Sequence, residues 1–170
     1  MDVAALLLDL YGRIPPLVED VLDGLERSSL TATVVPGTNT IAWLVWHLTR
    51  VQDHHLAELR DDEQTWTGPG WAERFGFAVA DPAEHGYGHT PEQVAAVVPA
   101  DDTALADYHR AVWTRTRAYL VTIDDAALDD IVDRRWDPPV TRGVRLVCVA
   151  DDCLEHVAQA AYLRGLLERP

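Results

Sequence analysis

Nothing in this 170-residue chain alternates apolar and polar residues over a length useful for a strand, whereas several long stretches repeat apolar residues at helical spacing. That pattern predicts an all-α fold, in which helices bury one another's apolar faces. Apolar positions between Asp2 and Leu25 keep helical spacing but meet Gly12 and the pair Pro15 and Pro16, which predict a kink or break in the first helix. Ser28 to Thr40 is a turn-rich connection whose Gly37, Thr38 and Asn39 suit the start of a second helix, from about Ile41 to Leu59. Between Asp61 and Thr90 stand Gly68, Pro69, Gly70, Gly76, Pro82, Gly86 and Gly88. They predict a long connection with a short helical turn near Trp71 to Phe75, and connections of that length are often functional.

Thr90, Pro91 and Gln93 read as a capping-box start for a short helix to about Val97. Asp101 or Asp102 then caps a third long helix to about Leu120, and a helical turn is expected at Asp125 to Val132. The two prolines of DRRWDPPVT block helix before Thr141 caps a last one, Gly143 to about Leu167. That helix is apolar over much of its circumference and is expected to be central. With 48% hydrophobic residues, the chain suits one domain, residues 1–170, around one core. The expected architecture is a four-helix bundle with its long connection between the second and third long helices.

Arg and Lys total 14 against 28 Asp and Glu, a formal charge of −14. A nucleic acid or an anionic membrane needs a basic face, so neither is expected as a partner. Cys148 and Cys153, five apart on one predicted helix, project in well-separated directions and are poorly placed for a disulfide. The opening MDVAALLLDLYGR lacks a basic leader region and meets Asp9 early, resembling neither a signal peptide nor a spanning segment. These features point to the reducing cytoplasm.

The residues that carry chemistry lie on two of the predicted helices. In ADDCLEHVAQAAYLR, Asp152 and His156 are four apart, so a carboxylate and an imidazole stand one above the other on one face. In WLVWHLTRVQDHH, His47 is embedded among Trp43, Leu44, Val45, Trp46 and Leu48 and faces packing. Neighbouring bundle helices bring inward residues together, and these three make a plausible set of metal ligands with a fourth position open to water or substrate. Taken singly, His47 reads more readily as a hydrogen-bonded core histidine and the Asp152 and His156 pair as an exposed polar pair. By helical period His54 and Glu58 share the face of His47 about two turns on, placing His54 at the rim of such a site or on a solvated helix end. His85 and His89 sit in the glycine-rich connection, where they either close over a pocket or lie on the surface, and His109 reads as an ordinary amphipathic-helix residue. Trp43, Trp46 and Trp71 are core residues or pocket walls.

The stretches NTIAWLVWHLTRVQDHH and TRGVRLVCVADDCLEHVAQAAYLRGLL resemble the second and last helices of the DinB-like superfamily, which includes YfiT-like metal hydrolases and the N-terminal domain of mycothiol-dependent maleylpyruvate isomerase. The resemblance implies one metal ligand from the second helix, falling on His47, and two from the last, falling on Asp152 and His156. Many members carry His or Glu at the position of Asp152 and extra histidines where Gln159 and Ala160 stand; Asp is a methylene shorter than Glu and must approach an ion more closely. The implied cofactor is a divalent metal, with Zn suiting the donor set and Ni or Fe(II) also compatible. The implied activity is a metal-dependent transfer or isomerisation that uses a low-molecular-weight thiol of the mycothiol type on an electrophilic small molecule, with His54, Arg50 and Trp43 at the substrate. A metal-dependent hydrolase and a non-catalytic, stress-related binding module are the alternatives. Apolar excess on the first and last helices permits a homodimer.

Overall fold

The computed structural model describes residues 1–169. The first predicted helix is two, α1 (Val3–Gly12) and α2 (Ile14–Leu22). Pro15 and Pro16 cause the break but sit in the first turn of α2, where their missing N–H groups have no helical partner to lose. A single turn, α3 (Arg27–Leu30), interrupts the connection to α4 (Ile41–Arg60). Thr40, and not the preceding Gly37 to Asn39, caps α4: its hydroxyl accepts the Trp43 N–H at 3.1 Å. The long connection carries a 3₁₀ turn at Glu73–Phe75 and then α5 (Pro91–Ala96), which opens on the expected capping box of Thr90 and Gln93.

Helix α6 (Ala104–Leu120) begins three residues after Asp101. The Asp101 carboxylate accepts the Thr103 N–H at 3.0 Å and pairs with Arg74 at 2.8 Å, so it organises the approach to the helix without capping it. The expected helical turn at Asp125 to Val132 is shorter than predicted. A 3₁₀ turn covers Ala126–Asp129, and the chain then extends as β1 (Ile131–Asp133), antiparallel to β2 (Val140–Thr141). Pro138 and Pro139 bar helix here, and Asp133, clasped by Arg135 and Arg145 at 2.7 and 3.0 Å, draws the two arms of the hairpin onto the last helix. That helix, α7 (Arg142–Leu167), is capped by Thr141 as predicted.

Helix α4 packs against α6 and α7, and α2 packs against the same two, which closes a ring of four with α2 diagonal to α4. The central helix is α4, not α7: 15 of its 20 residues are buried, against 6 of 26 in α7. Apolar circumference misled the sequence reading because a bundle of four has no outer layer to cover Val144, Val147 and Tyr162, which α7 leaves in solvent. Tyr11, fully buried on α1, donates its hydroxyl to the Leu146 carbonyl at 2.7 Å and ties the N-terminal helix to α7. Among the described residues no helix is long and apolar enough to cross a membrane.

Candidate metal centre

Residue numbers rise on α4 as they fall on α7 along their contact. His55 meets Arg145, the Leu48 carbonyl meets the Cys153 thiol, and His47 meets His156, so the helices are antiparallel. This register brings His47, Asp152 and His156 together, with one potential ligand atom of each within 4.8 Å of the others. The His47 and His156 rings meet edge to face at 4.8 Å, and His156 Nε2 lies 3.7 Å from Asp152 Oδ2.

Both imidazoles are oriented from behind. His47 Nδ1–H donates to the His85 carbonyl and His156 Nδ1–H to Gln159 Oε1 at 3.0 Å, which leaves Nε2 of each ring as the nitrogen with a free lone pair. Burial pushes the His47 pKa down to about 4, so that ring is neutral near pH 7, the state a metal requires. Burial pushes the Asp152 pKa up, with His156 pulling the other way. Asp152 Oδ1 is buried and has no hydrogen-bond partner among the described residues. An orphaned carboxylate oxygen beside two imidazoles carrying free Nε2 lone pairs is an arrangement that a divalent cation would satisfy, and a three-ligand set keeps one position open. Asp152 and His156 are half-buried, so the centre is reached from solvent along α7 while His47 closes it from within.

The connection after α4 builds the rest of the shell. Trp43 stacks on His47, with ring centroids 4.5 Å apart and planes 11° from parallel, and its Nε1–H donates to His89 Nδ1 at 3.1 Å. His89 therefore carries its proton on Nε2 and donates it to Glu84 Oε1 at 2.9 Å. The same oxygen accepts the Gly86 N–H at 3.0 Å. Gly86 adopts φ +94°, and a Cβ there would come within 2.9 Å of both His47 Nδ1 and the Trp46 ring.

Arg50, expected at the substrate, is not available to one. It is fully buried and spends its donors on the fold: Nε–H reaches the Glu84 carbonyl at 2.8 Å, Nη2 the Pro82 carbonyl at 3.2 Å, and Nη1 the Tyr108 hydroxyl at 3.2 Å. Arg50 was misread because its position on α4 faces the connection and not the groove between α4 and α7. Trp43 is buried too, with its ring against His47. His54 lines a neighbouring pocket of about 470 Å³ together with His55, His85, Arg145 and the exposed Trp136.

His54, His55 and Glu58 also bring ligand atoms within 4.8 Å of one another. There the Arg145 Nη1 lies 3.3 and 3.5 Å from the two nitrogens of His55, and a guanidinium at that distance repels a cation. Sequence reasoning missed Asp53, Tyr108, Gln159 and the His85 carbonyl. Asp53 stood beside the flagged histidines and its burial within α4 was readable from its apolar neighbours; a backbone carbonyl leaves no signal at all.

A family model described as Mycothiol-S-transferase matches residues 16–169. The fold is similar to a solved structure described as the crystal structure of the conserved protein of locus from Enterococcus faecalis, with a TM-score of 0.89 and 34% identity over 98% of this chain and 97% of that one. No curated protein matches the sequence.

Proposed function

Because the chain belongs to the mycothiol-S-transferase family, of the DinB/YfiT-like group, we propose that it is a metal-dependent S-transferase that joins a low-molecular-weight thiol to an electrophilic small molecule. The observation that carries this reading is the unpartnered Asp152 Oδ1 beside two imidazoles whose Nδ1 protons are already engaged. His47, Asp152 and His156 would hold one divalent ion, for which Zn is the best match to two nitrogens, one oxygen and an open position. Such an ion, when bound, lowers the pKa of a thiol or water in the open position toward neutrality.

The chain's own residues supply the rest. Asp152 offsets part of the ion's charge, His85 and Gln159 fix the two rings, and the Trp43 face shields His47 from water on the buried side. On this reading the electrophile would occupy the pocket on the other side of His85, lined by His54 and the exposed Trp136. A neutral thiol suits an acidic protein of formal charge −14 better than an anionic one does. Free Cys148 and Cys153 accord with the reducing cytoplasm, where such thiols are kept reduced.

The test is incubation of metal-loaded protein with a panel of thiols and monochlorobimane. In the reaction a C–S bond forms, the C–Cl bond breaks with its electron pair leaving as chloride, and the thiol proton passes to solvent. The expected result is conjugate formation above a metal-free control, abolished in His156→Ala. Absence of turnover across the panel would contradict the transferase reading, and turnover of ester or amide substrates by water alone would point to a hydrolase.

A further inference from the structure

Arg50 contributes nothing to the groove, yet it is fully buried and one turn along α4 from His47. Its partners explain the placement. Two of its nitrogens hold the Glu84 and Pro82 carbonyls, and its guanidinium lies 4.8 Å over the Trp66 ring. Asp53, also buried, accepts the Thr65 and Trp66 N–H groups at 2.9 and 2.7 Å and the Tyr108 hydroxyl at 2.9 Å. Both ends of the connection are thus tied to one face of α4.

From the segment so held, the next carbonyl, that of His85, accepts His47 Nδ1–H. Gly86 follows with no room for a side chain, and the Glu84 carboxylate closes the turn through Gly86 N–H and His89. Only a backbone fixed in this position keeps the proton of a neutral imidazole on Nδ1, because a ring without that acceptor is free to carry it on Nε2.

On the reading of the site given above, we infer that Arg50 is a positioning residue for the metal centre: by pinning residues 82 to 85 it holds the His85 carbonyl against His47 and fixes Nε2 as the nitrogen that binds. Arg50 never touches the ion. Its effect travels through the Pro82 and Glu84 carbonyls to that of His85 and on to one imidazole, in the way that groups behind a ligand commonly tune metal affinity 10- to 100-fold.

Three substitutions separate this role from general stability. Arg50→Lys keeps the charge but replaces the planar fork, whose Nε and Nη2 each hold one carbonyl, with a single mobile ammonium that cannot fix both in that geometry. Gly86→Ala drives a Cβ into His47 Nδ1 and the Trp46 ring. Gly88→Ala is the control, since Gly88 also has positive φ (+75°) but no atom within 4 Å of an added Cβ, so it introduces backbone strain without the clash.

Two readouts are taken. The first is the tautomer of His47 in metal-free protein, from long-range proton–nitrogen NMR correlations of the ring. The second is Co(II) affinity by chelator competition together with the visible Co(II) spectrum, with apo thermal unfolding recorded for every variant. Expected are an Nδ1–H ring in the wild type and Gly88→Ala, and mixed tautomers, a Co(II) affinity weaker by roughly 10- to 100-fold and an altered spectrum in Arg50→Lys and Gly86→Ala. Wild-type tautomer, affinity and spectrum in both of the latter would overturn the inference, as would losses matched by Gly88→Ala. A wild type that takes up no Co(II) overturns the function proposed above and this inference with it, whereas a binding wild type with equally binding variants overturns this inference alone.

Discussion

In the sequence His109 reads as an ordinary residue of an amphipathic helix, yet it is buried between α6 and α4, with Nδ1 3.2 Å from the Thr49 hydroxyl and Nε2 unpartnered among the described residues. Burial alone holds its pKa near 4, well below the usual histidine value. The unfolded chain therefore takes up a proton that the folded chain refuses, beginning near pH 6.5 and ending near pH 4. Above that window the protonation of His109 does not change stability with pH; within it, each unit of falling pH costs about 1.4 kcal/mol, and below it the loss is complete. His109→Leu is expected to flatten the fall in urea midpoint between pH 7 and pH 4, leaving a residual slope that includes His47, whose pKa is lowered in the same direction. An unchanged slope would show that the ring titrates normally in the folded protein. At this scale the sequence revealed side-chain types and spacings, which is why the approach of His47 to Asp152 and His156 could be expected. It concealed the acceptor behind His47, because a carbonyl of His85 is common to every residue, and it misplaced Arg50, because a long polar side chain on a mostly apolar helix faces either a ligand or a loop with the same spacing.

The long helices were legible from periodicity and their starts from cap chemistry, but the cap itself can lie a residue away from where turn formers suggest. Thr40 illustrates this: it closes α4 although Gly37 to Asn39 carry the stronger turn signal, because its hydroxyl is the one within reach of the Trp43 N–H. Thr40→Ala is expected to lower stability by about 1 kcal/mol and the thermal midpoint by roughly 2–4 °C, with Thr40→Ser close to wild type. Equal midpoints for Thr40→Ala and wild type would show that the hydroxyl contributes nothing. The β1–β2 hairpin was not legible. Its two short strands are held by Asp133 and two arginines, one of them on α7, and a pairing that depends on a side chain of another element has no local pattern to read.

At the scale of the molecule, a ring of four helices, of which α4 is the most buried, sets an imidazole from within against a carboxylate and an imidazole on the half-exposed face of α7. The all-α class followed from what the chain lacks, namely any alternating run, and from apolar residues repeated at helical spacing. Which helix is central did not follow, because apolar content measures what a helix can bury and not how many neighbours it has. A chain of formal charge −14 collects cations weakly over its whole surface, so total metal is not informative by itself. The decisive quantity is the metal that survives extensive dialysis, counted per chain by elemental analysis after reconstitution, in wild type and in His47→Ala, Asp152→Ala and His156→Ala. One equivalent of a transition metal in the wild type and its loss in all three variants is the predicted result. A wild type with no stoichiometric metal, or variants that retain it equally, would contradict the assignment of this centre.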